Sequence, residues 1–323
     1  MNKILKNVLK IAAALIVVAV IGVVVISYGA SGKLVSPVRD VSTVTPLDLG
    51  IAYDEVRYQT ADDVTIRAWF VPASAAAKNA NSRATIILAH GYPHNKAQMN
   101  EYMTFLHARG FNVLSFDFRA CGESGGKFVT IGANEPKDID AAVEWLKANH
   151  PKEAEKIGIL GISMGAATSI LATANNKKID AIVSDSAFAK LTNAIDSSFT
   201  YFAHLPAFPF SPLSVKFAEW RAGVNVSEVL PEKYIHDIAP RPILIIHSKV
   251  DTIILHDKNA LPLYEAAGNP KQLWSVEGGG HVENHSFAGK EYEEKVDKFF
   301  EDSLIGKAPV APPAQKAVGK KKK

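Results

Sequence analysis

At 323 residues and 47% hydrophobic content, the chain is long enough to bury a large α/β core. Its +3 formal charge is a property of its ends: Lys3, Lys6, Lys10, Lys33, Lys307, Lys316 and Lys320 to Lys323 set aside, 26 basic residues face 33 acidic ones, a net −7, which argues against a nucleic-acid-binding body. Cys121 is the only cysteine, so neither an intrachain disulfide nor a cysteine-based metal site is open to it.

The amino terminus carries the first element. Ile11 to Ile26 contains no polar or charged residue, and Ile4, Leu5, Val8 and Leu9 extend the run to about 23 residues, enough to span a bilayer. Lysines 3, 6 and 10 precede it and predict a cytoplasmic amino terminus, with the body on the extracytoplasmic side of the cell membrane. A cleaved signal peptide is the competing reading, but Ser27-Tyr28-Gly29 makes a poor small-x-small site. The expected organisation is a signal anchor over 1–28, a linker over 29–50 with Pro37 and Pro46, a catalytic domain over 51–305, and a disordered Lys-rich tail over 306–323.

Two strands, Tyr53 to Thr60 and Thr65 to Pro72, flank the turn Ala61-Asp62-Asp63, and a small-residue surface loop follows over 74–83. Short apolar strands then alternate with helices. The strands are Thr85 to Ala89, Asn112 to Phe116, Lys156 to Leu160, Ala181 to Ser184, Pro242 to His247 and Gln272 to Val276. The helices are Asn95 to Arg109, Pro136 to Asn149, Ala166 to Ala174, Asp257 to Ala267 and Phe287 to Leu304. That alternation predicts an α/β fold with a mainly parallel sheet covered on both faces. One stretch interrupts it: 186–240 has no strand signal and is rich in Phe199, Tyr201, Phe202, Phe208, Phe210, Phe217 and Trp220. It reads as a helical lid inserted between two strands, broken into short pieces by Pro206, Pro209 and Pro212.

Gly161-Ile162-Ser163-Met164-Gly165 falls between a strand and a helix, the context in which G-x-S-x-G means a nucleophile elbow. A serine nucleophile needs a base, an acid to orient the base, and donors for the oxyanion. Asp251, just past the Pro242–His247 strand, is the expected acid, with Asp185 the rival. His281, after Gly278-Gly279-Gly280, is the expected base, with His285 the runner-up. The oxyanion donors expected are the N–H groups of Tyr92 and Met164. His90, Asp117 and Arg119 read as structural braces, and Cys121 lacks an elbow and reads as no nucleophile.

The ordered set His90-Gly91, Asp117-x-Arg119, Gly161-x-Ser163-x-Gly165, His247-x-x-x-Asp251 and Gly280-His281 resembles the α/β-hydrolase superfamily, and is most similar to membrane-anchored bacterial serine hydrolases of the esterase, thioesterase and dipeptidyl-peptidase-like groups. The resemblance spans Tyr53 to Leu304 and implies a nucleophile at Ser163, an acid at Asp251 and a base at His281, with no metal and no organic cofactor. Ala120 stands where the family usually has Gly, and Leu255 where a Pro often follows the acid. The expected activity is hydrolysis of a small-molecule or lipid-like acyl ester or thioester by a membrane-anchored enzyme. A serine peptidase or acyltransferase on the same triad is the alternative, and a non-catalytic membrane-tethered binding module is the remote one.

Overall fold

A computed structural model describes residues 3–74 and 80–306. The Lys-rich tail expected after 306 and the middle of the loop expected over 74–83 lie outside the described residues. The first helix, α1 (Lys3–Val35), has a mean hydropathy of 3.0 over its most apolar 18-residue window and is long and apolar enough to cross a bilayer. It does not stop at Tyr28, where the sequence suggests a linker. It runs seven residues further, because Ser27, Ser31 and Val35, four residues apart, are all buried against the body of the protein. That burial overrides the weak helix propensity of Gly29, Ser31 and Gly32.

The body is built on one eight-stranded sheet. Its elements in chain order are β1 (Asp54–Gln59), β2 (Thr65–Val71), β3 (Ala84–Ala89), α2 (Asn100–Ala108), β4 (Asn112–Phe116), α3 (Pro136–Asn149), β5 (Lys156–Ile162), α4 (Met164–Asn175), β6 (Ala181–Asp185), α5 (Leu191–Ala203), α6 (Ala207–Ala222), α7 (Pro231–Tyr234), β7 (Ile243–Ser248), α8 (His256–Ala266), β8 (Lys271–Val276), α9 (Asn284–Ala288) and α10 (Lys290–Phe300). The strand order is β1-β2-β4-β3-β5-β6-β7-β8. β2 pairs antiparallel with both β1 and β4, and every other pairing is parallel. All eight strands fall where the apolar runs predict them.

Period-two alternation divides each central strand between two cores. In β3, Ile87 and Ala89 join α3, α4 and α8 on one face, while Ile86 and Leu88 join α2 and α10 on the other. β7 does the same with Ile243 and Ile245 against Leu244 and Ile246. A strand buried on both faces cannot afford polar alternation, which is why these segments read as continuous apolar runs.

Between β6 and β7 the chain makes the helical insertion α5 to α7. The prolines break the insertion only at its first two positions, and Pro212, in the first turn after the kink, does not interrupt α6. Leu205-Pro206 separates α5 from α6, Phe208 inside the first turn of α6 is non-helical, and Pro212 lies within the helix. Phe199 is buried, Phe208 and Trp220 are exposed, and the Phe202 side chain lies outside the described residues.

The loop after β3 is fastened to the end of β4 by a buried ion pair. Lys96 Nζ, 5% exposed, is 2.7 Å from Asp117 Oδ2 and 2.5 Å from Glu123 Oε2, and the Lys96 N–H donates to Asp117 Oδ1 at 2.7 Å. Removing one partner of such a pair leaves an uncompensated buried charge. Lys96→Met is therefore expected to lower the unfolding free energy in urea by about 3–5 kcal/mol. A loss under about 1 kcal/mol would mean that this pair is solvated like a surface bridge.

Candidate active site

Ser163 sits between β5 and α4 with φ 51° and ψ −117°. A non-glycine residue there carries strain of about 1–3 kcal/mol, held only when its surroundings over-determine it. Here they do. The Ser163 N–H donates to Asp185 O at the end of β6, at 2.9 Å, and Ser163 O accepts from the Ala167 N–H at 3.0 Å. The flanking glycines are a steric necessity. A Cβ at Gly161 would strike the Gly165 carbonyl, and one at Gly165 would strike the carbonyl of Ala89 at the end of β3.

The structure brings Ser163, His281 and Asp251 together from three strand ends. Ser163 Oγ lies 2.8 Å from His281 Nε2, and His281 Nδ1 lies 2.7 Å from Asp251 Oδ2. Asp251 follows β7, and its other oxygen accepts the N–H groups of Ile253 at 2.9 Å and Ile254 at 2.8 Å. Burial by itself pushes this carboxyl up, but hydrogen bonds from His247 and His281, and the Ile254 N–H, outweigh it and hold the group well below the usual carboxylate range. The anion is thus fixed in place before the imidazole meets it. His247 belongs to this arrangement too: its ring nitrogen donates to Ile254 O at 2.6 Å and lies 3.4 Å from Asp251 Oδ2, so it braces the Asp251 turn from beneath. Its position four residues before Asp251 is the only trace of that role in the sequence.

The rival candidates are engaged elsewhere. Asp185 is fully buried and accepts from Ser186, Asn284 Nδ2 at 2.6 Å and Tyr292 Oη at 2.8 Å, and burial pushes its carboxyl up. It ties the carboxyl-terminal helices to β6 and, through Ser186, holds the start of the insertion. His285 stacks on Phe105 and faces Glu101 and Glu293. Cys121 is buried, and burial pushes its thiol up to about 12, so it stays protonated at neutral pH.

The loop after β3 places Gly91 and Tyr92 beside the serine; a Cβ at Gly91 would lie 3.4 Å from Ser163 Cβ. His90 is the brace of this loop. Its Nδ1–H donates to Gly91 O at 2.8 Å, and its Nε2 accepts the Phe118 N–H at 3.0 Å. Burial pushes its imidazole down to about 4, consistent with the neutral tautomer those two bonds require. Arg119 is clamped between Asp138 and Asp62. The adjoining Ala120 has φ 57°, the left-handed conformation for which the family's usual glycine is suited.

A cavity of about 370 Å³ opens over Ser163 and His281. Its walls are mainly apolar: Ile131, Phe188, Leu191, Ile195, Phe199, Ile253 and Ile254. Of the aromatic residues read in the insertion whose side chains are described, Phe199 lines it. The remaining wall comes from Ala30, Lys33 and Leu34 of α1, which the sequence assigns to a linker.

Comparison with known proteins agrees with this architecture. A family profile for X-Pro dipeptidyl-peptidase (S15 family) matches residues 58–206. The uncharacterized protein YqkD of Bacillus subtilis is 33% identical over 220 residues, 68% of this chain and 71% of that one. YfhR of Escherichia coli K12, also uncharacterized, is 26% identical over 254 residues, 78% of this chain and 81% of its own. The solved structure of the Pyrococcus furiosus esterase Pf2001 superposes with a TM-score of 0.71 at 31% identity, covering 84% of this chain and 99% of that one. The chain belongs to the α/β-hydrolase superfamily. It is a hydrolase, related to the esterases and peptidases built on this fold.

The elbow's packing is directly testable in this hydrolase. Gly165→Ala places a methyl group on the Ala89 carbonyl, and overpacking of this kind costs about 1–3 kcal/mol or more. The variant is expected to unfold at lower urea concentration and to lose hydrolase activity with it. Wild-type stability would mean that the β3–α4 contact relaxes freely.

Proposed function

We propose that the protein is a membrane-anchored serine hydrolase that cleaves carboxylic ester or thioester bonds, with Ser163 as nucleophile, His281 as base and Asp251 as the acid that orients it. The observation carrying this reading is the unbroken hydrogen-bonded series from Ser163 Oγ through His281 to Asp251 at the floor of an apolar cavity. Ser163 Oγ attacks the acyl carbonyl carbon while its proton passes to His281 Nε2. Asp251 Oδ2 accepts from His281 Nδ1–H, fixes that tautomer and stabilises the imidazolium. The N–H groups of Tyr92 and Met164 receive the negative charge on the carbonyl oxygen. Collapse of the tetrahedral species expels the alcohol or thiol, which takes the proton from His281. Water then adds to the acyl-enzyme with His281 as base, releasing the acid and restoring Ser163.

The cavity favours an acyl chain over a peptide amino terminus. Among the described residues lining it there is no carboxylate to receive an ammonium group. The match of residues 58–206 to a dipeptidyl-peptidase family supports peptide hydrolysis as the second reading. In this proposal the domain of 51–305 carries the chemistry, the helical insertion of about 186–240 roofs the acyl site, and α1 is retained as the anchor. Retention is supported by the burial of Ser27, Ser31 and Val35, which a cleaved leader has no reason to show.

Ser163→Ala is expected to abolish fluorophosphonate labelling and to lower turnover of p-nitrophenyl butyrate by several orders of magnitude. Asp251→Asn is expected to fold normally and lose up to about 10⁴ in kcat, whereas Asp185→Asn is expected to act mainly on stability. Greater catalytic loss from Asp185→Asn at unchanged stability would move the acid to β6. For the anchor, protease added to intact spheroplasts is expected to digest the body, since Lys3, Lys6 and Lys10 hold the amino terminus inside. Complete protection would reverse the topology.

A further inference from the structure

The carboxyl-terminal two turns of α1 are bound to the body at every level. Ser27 Oγ donates to Phe210 O at 3.3 Å, the Tyr28 ring meets Phe217 edge-on at 5.4 Å, and Arg221 lies over the Tyr28 ring at 4.1 Å while its Nε donates to Ser31 Oγ at 3.0 Å. The Val129 N–H donates to Val35 O at 2.9 Å. Tyr92, whose backbone is an oxyanion donor in the proposed mechanism, donates its hydroxyl hydrogen to Lys33 O at 2.5 Å. The helix that carries 23 lipid-compatible residues therefore continues, without a break, into the wall of the cavity over Ser163.

Helix geometry places that wall in depth. Rising about 1.5 Å per residue, the helix reaches Ala30 about 6 Å and Leu34 about 12 Å beyond Ile26, the last residue of the apolar run. The headgroup layer on one side of a bilayer is about 5–8 Å thick. Ala30 thus lies among headgroups and Leu34 about 4–7 Å beyond them, where the cavity begins to enclose the chain. α6 packs against this same stretch of α1, through Phe210 O on Ser27 and Arg221 on Ser31, and its Phe208 and Trp220 are 79% and 75% exposed. Exposed aromatic side chains at the end of an apolar span are the signature of an interfacial belt.

We propose that α1 is a wall of the acyl site as well as an anchor, and that the site draws its substrate, a single-chain acyl ester dissolved in the bilayer, directly from the headgroup layer. This rests on the acyl-hydrolase reading above. The size of the cavity, at the low end of the range for ligand pockets, suits one acyl chain and not two. The substrate then never crosses water: its chain slides from lipid past Ala30 and Leu34 toward Ile195 and Phe199, keeping apolar surface covered throughout.

The test uses the full chain in phosphatidylcholine vesicles. With Ser163→Ala to prevent turnover, a monoacylglycerol bearing a diazirine at the end of its acyl chain is irradiated and its adducts are mapped by mass spectrometry. Adducts on Leu34, Ile195 or Phe199, competed away by monodecanoylglycerol, are expected. Adducts confined to residues 4–26 and to Phe208 and Trp220, indifferent to competitor, would overturn the proposal. In the otherwise wild-type chain, Leu34→Trp is expected to lower the ratio of decanoyl to acetyl p-nitrophenyl ester kcat/KM at least tenfold. An unchanged ratio would remove α1 from the acyl wall. Specific cavity adducts in a protein whose wild-type Ser163 resists fluorophosphonate would instead leave the lipid site standing and sink the hydrolase reading.

Discussion

The close approach of α4 to the end of β3 is the constraint on which the site depends. Gly165 lies so near the Ala89 carbonyl that no side chain fits between them, and Gly161 lies as near to Gly165 itself. The turn carrying Ser163 is therefore pressed against the strand whose following loop carries Gly91 and Tyr92. One contact sets two positions: the serine relative to the sheet, and the loop's N–H groups relative to the serine. Everything that stiffens the loop, from His90 between Gly91 and Phe118 to the buried Lys96–Asp117 pair, preserves that single distance. The strain at Ser163 is retained because both sides of it are fixed, by Asp185 O on one flank and the first turn of α4 on the other.

The Asp251–His281 half of the arrangement is built differently. It has no glycine-tight contact with the elbow and relies on polar saturation instead. Asp251 spends one oxygen on the Ile253 and Ile254 N–H groups and the other on His281, with His247 close beneath. An anion satisfied this way has little freedom to rotate, so the imidazole it holds has one orientation. The two halves meet at the 2.8 Å contact between Ser163 Oγ and His281 Nε2. Rigid positioning of each half separately is what makes that contact available without a substrate to assemble it.

Much of this is legible in the amino-acid sequence. The central strands announce themselves because a strand buried on both faces needs a continuous apolar run, as in 86–89 of β3, 157–162 of β5, 181–183 of β6 and 243–246 of β7. The elbow is legible because its glycines are sterically required, and steric requirements leave sharp marks in sequence. What stayed hidden depends on long-range packing. Gly29, Ser31 and Gly32 weaken helix propensity and read as the start of a linker, yet Ser27 and Ser31 hold α1 against α6 through Phe210 O and Arg221, while Gly29 and Gly32 face open space. The insertion's aromatics were equally ambiguous: Phe199 turns inward to the cavity and Phe208 and Trp220 turn outward, and no local pattern separates them. His247 read as part of a family pattern, but its support of the Asp251 turn comes from a fold of seven residues back onto Ile254 that spacing alone does not reveal.

The extension of α1 changes how the proposed anchor and the site relate. A flexible linker of 29–50 would leave the body free to tumble above a membrane, and its cavity would sample all orientations. A continuous helix removes that freedom. The arrangement of Ser27, Tyr28 and Ser31 on α6 fixes the insertion relative to the axis of α1, and the Tyr92 hydroxyl on Lys33 O fixes the loop after β3 to the same helix. The orientational entropy that a tethered enzyme would spend on each encounter is instead removed once, at folding, by contacts that are part of the core. Under the proposed anchoring, membrane insertion and site geometry share one rigid element, so a change in how deeply or how steeply α1 sits in lipid is transmitted to the cavity wall and the loop after β3 together.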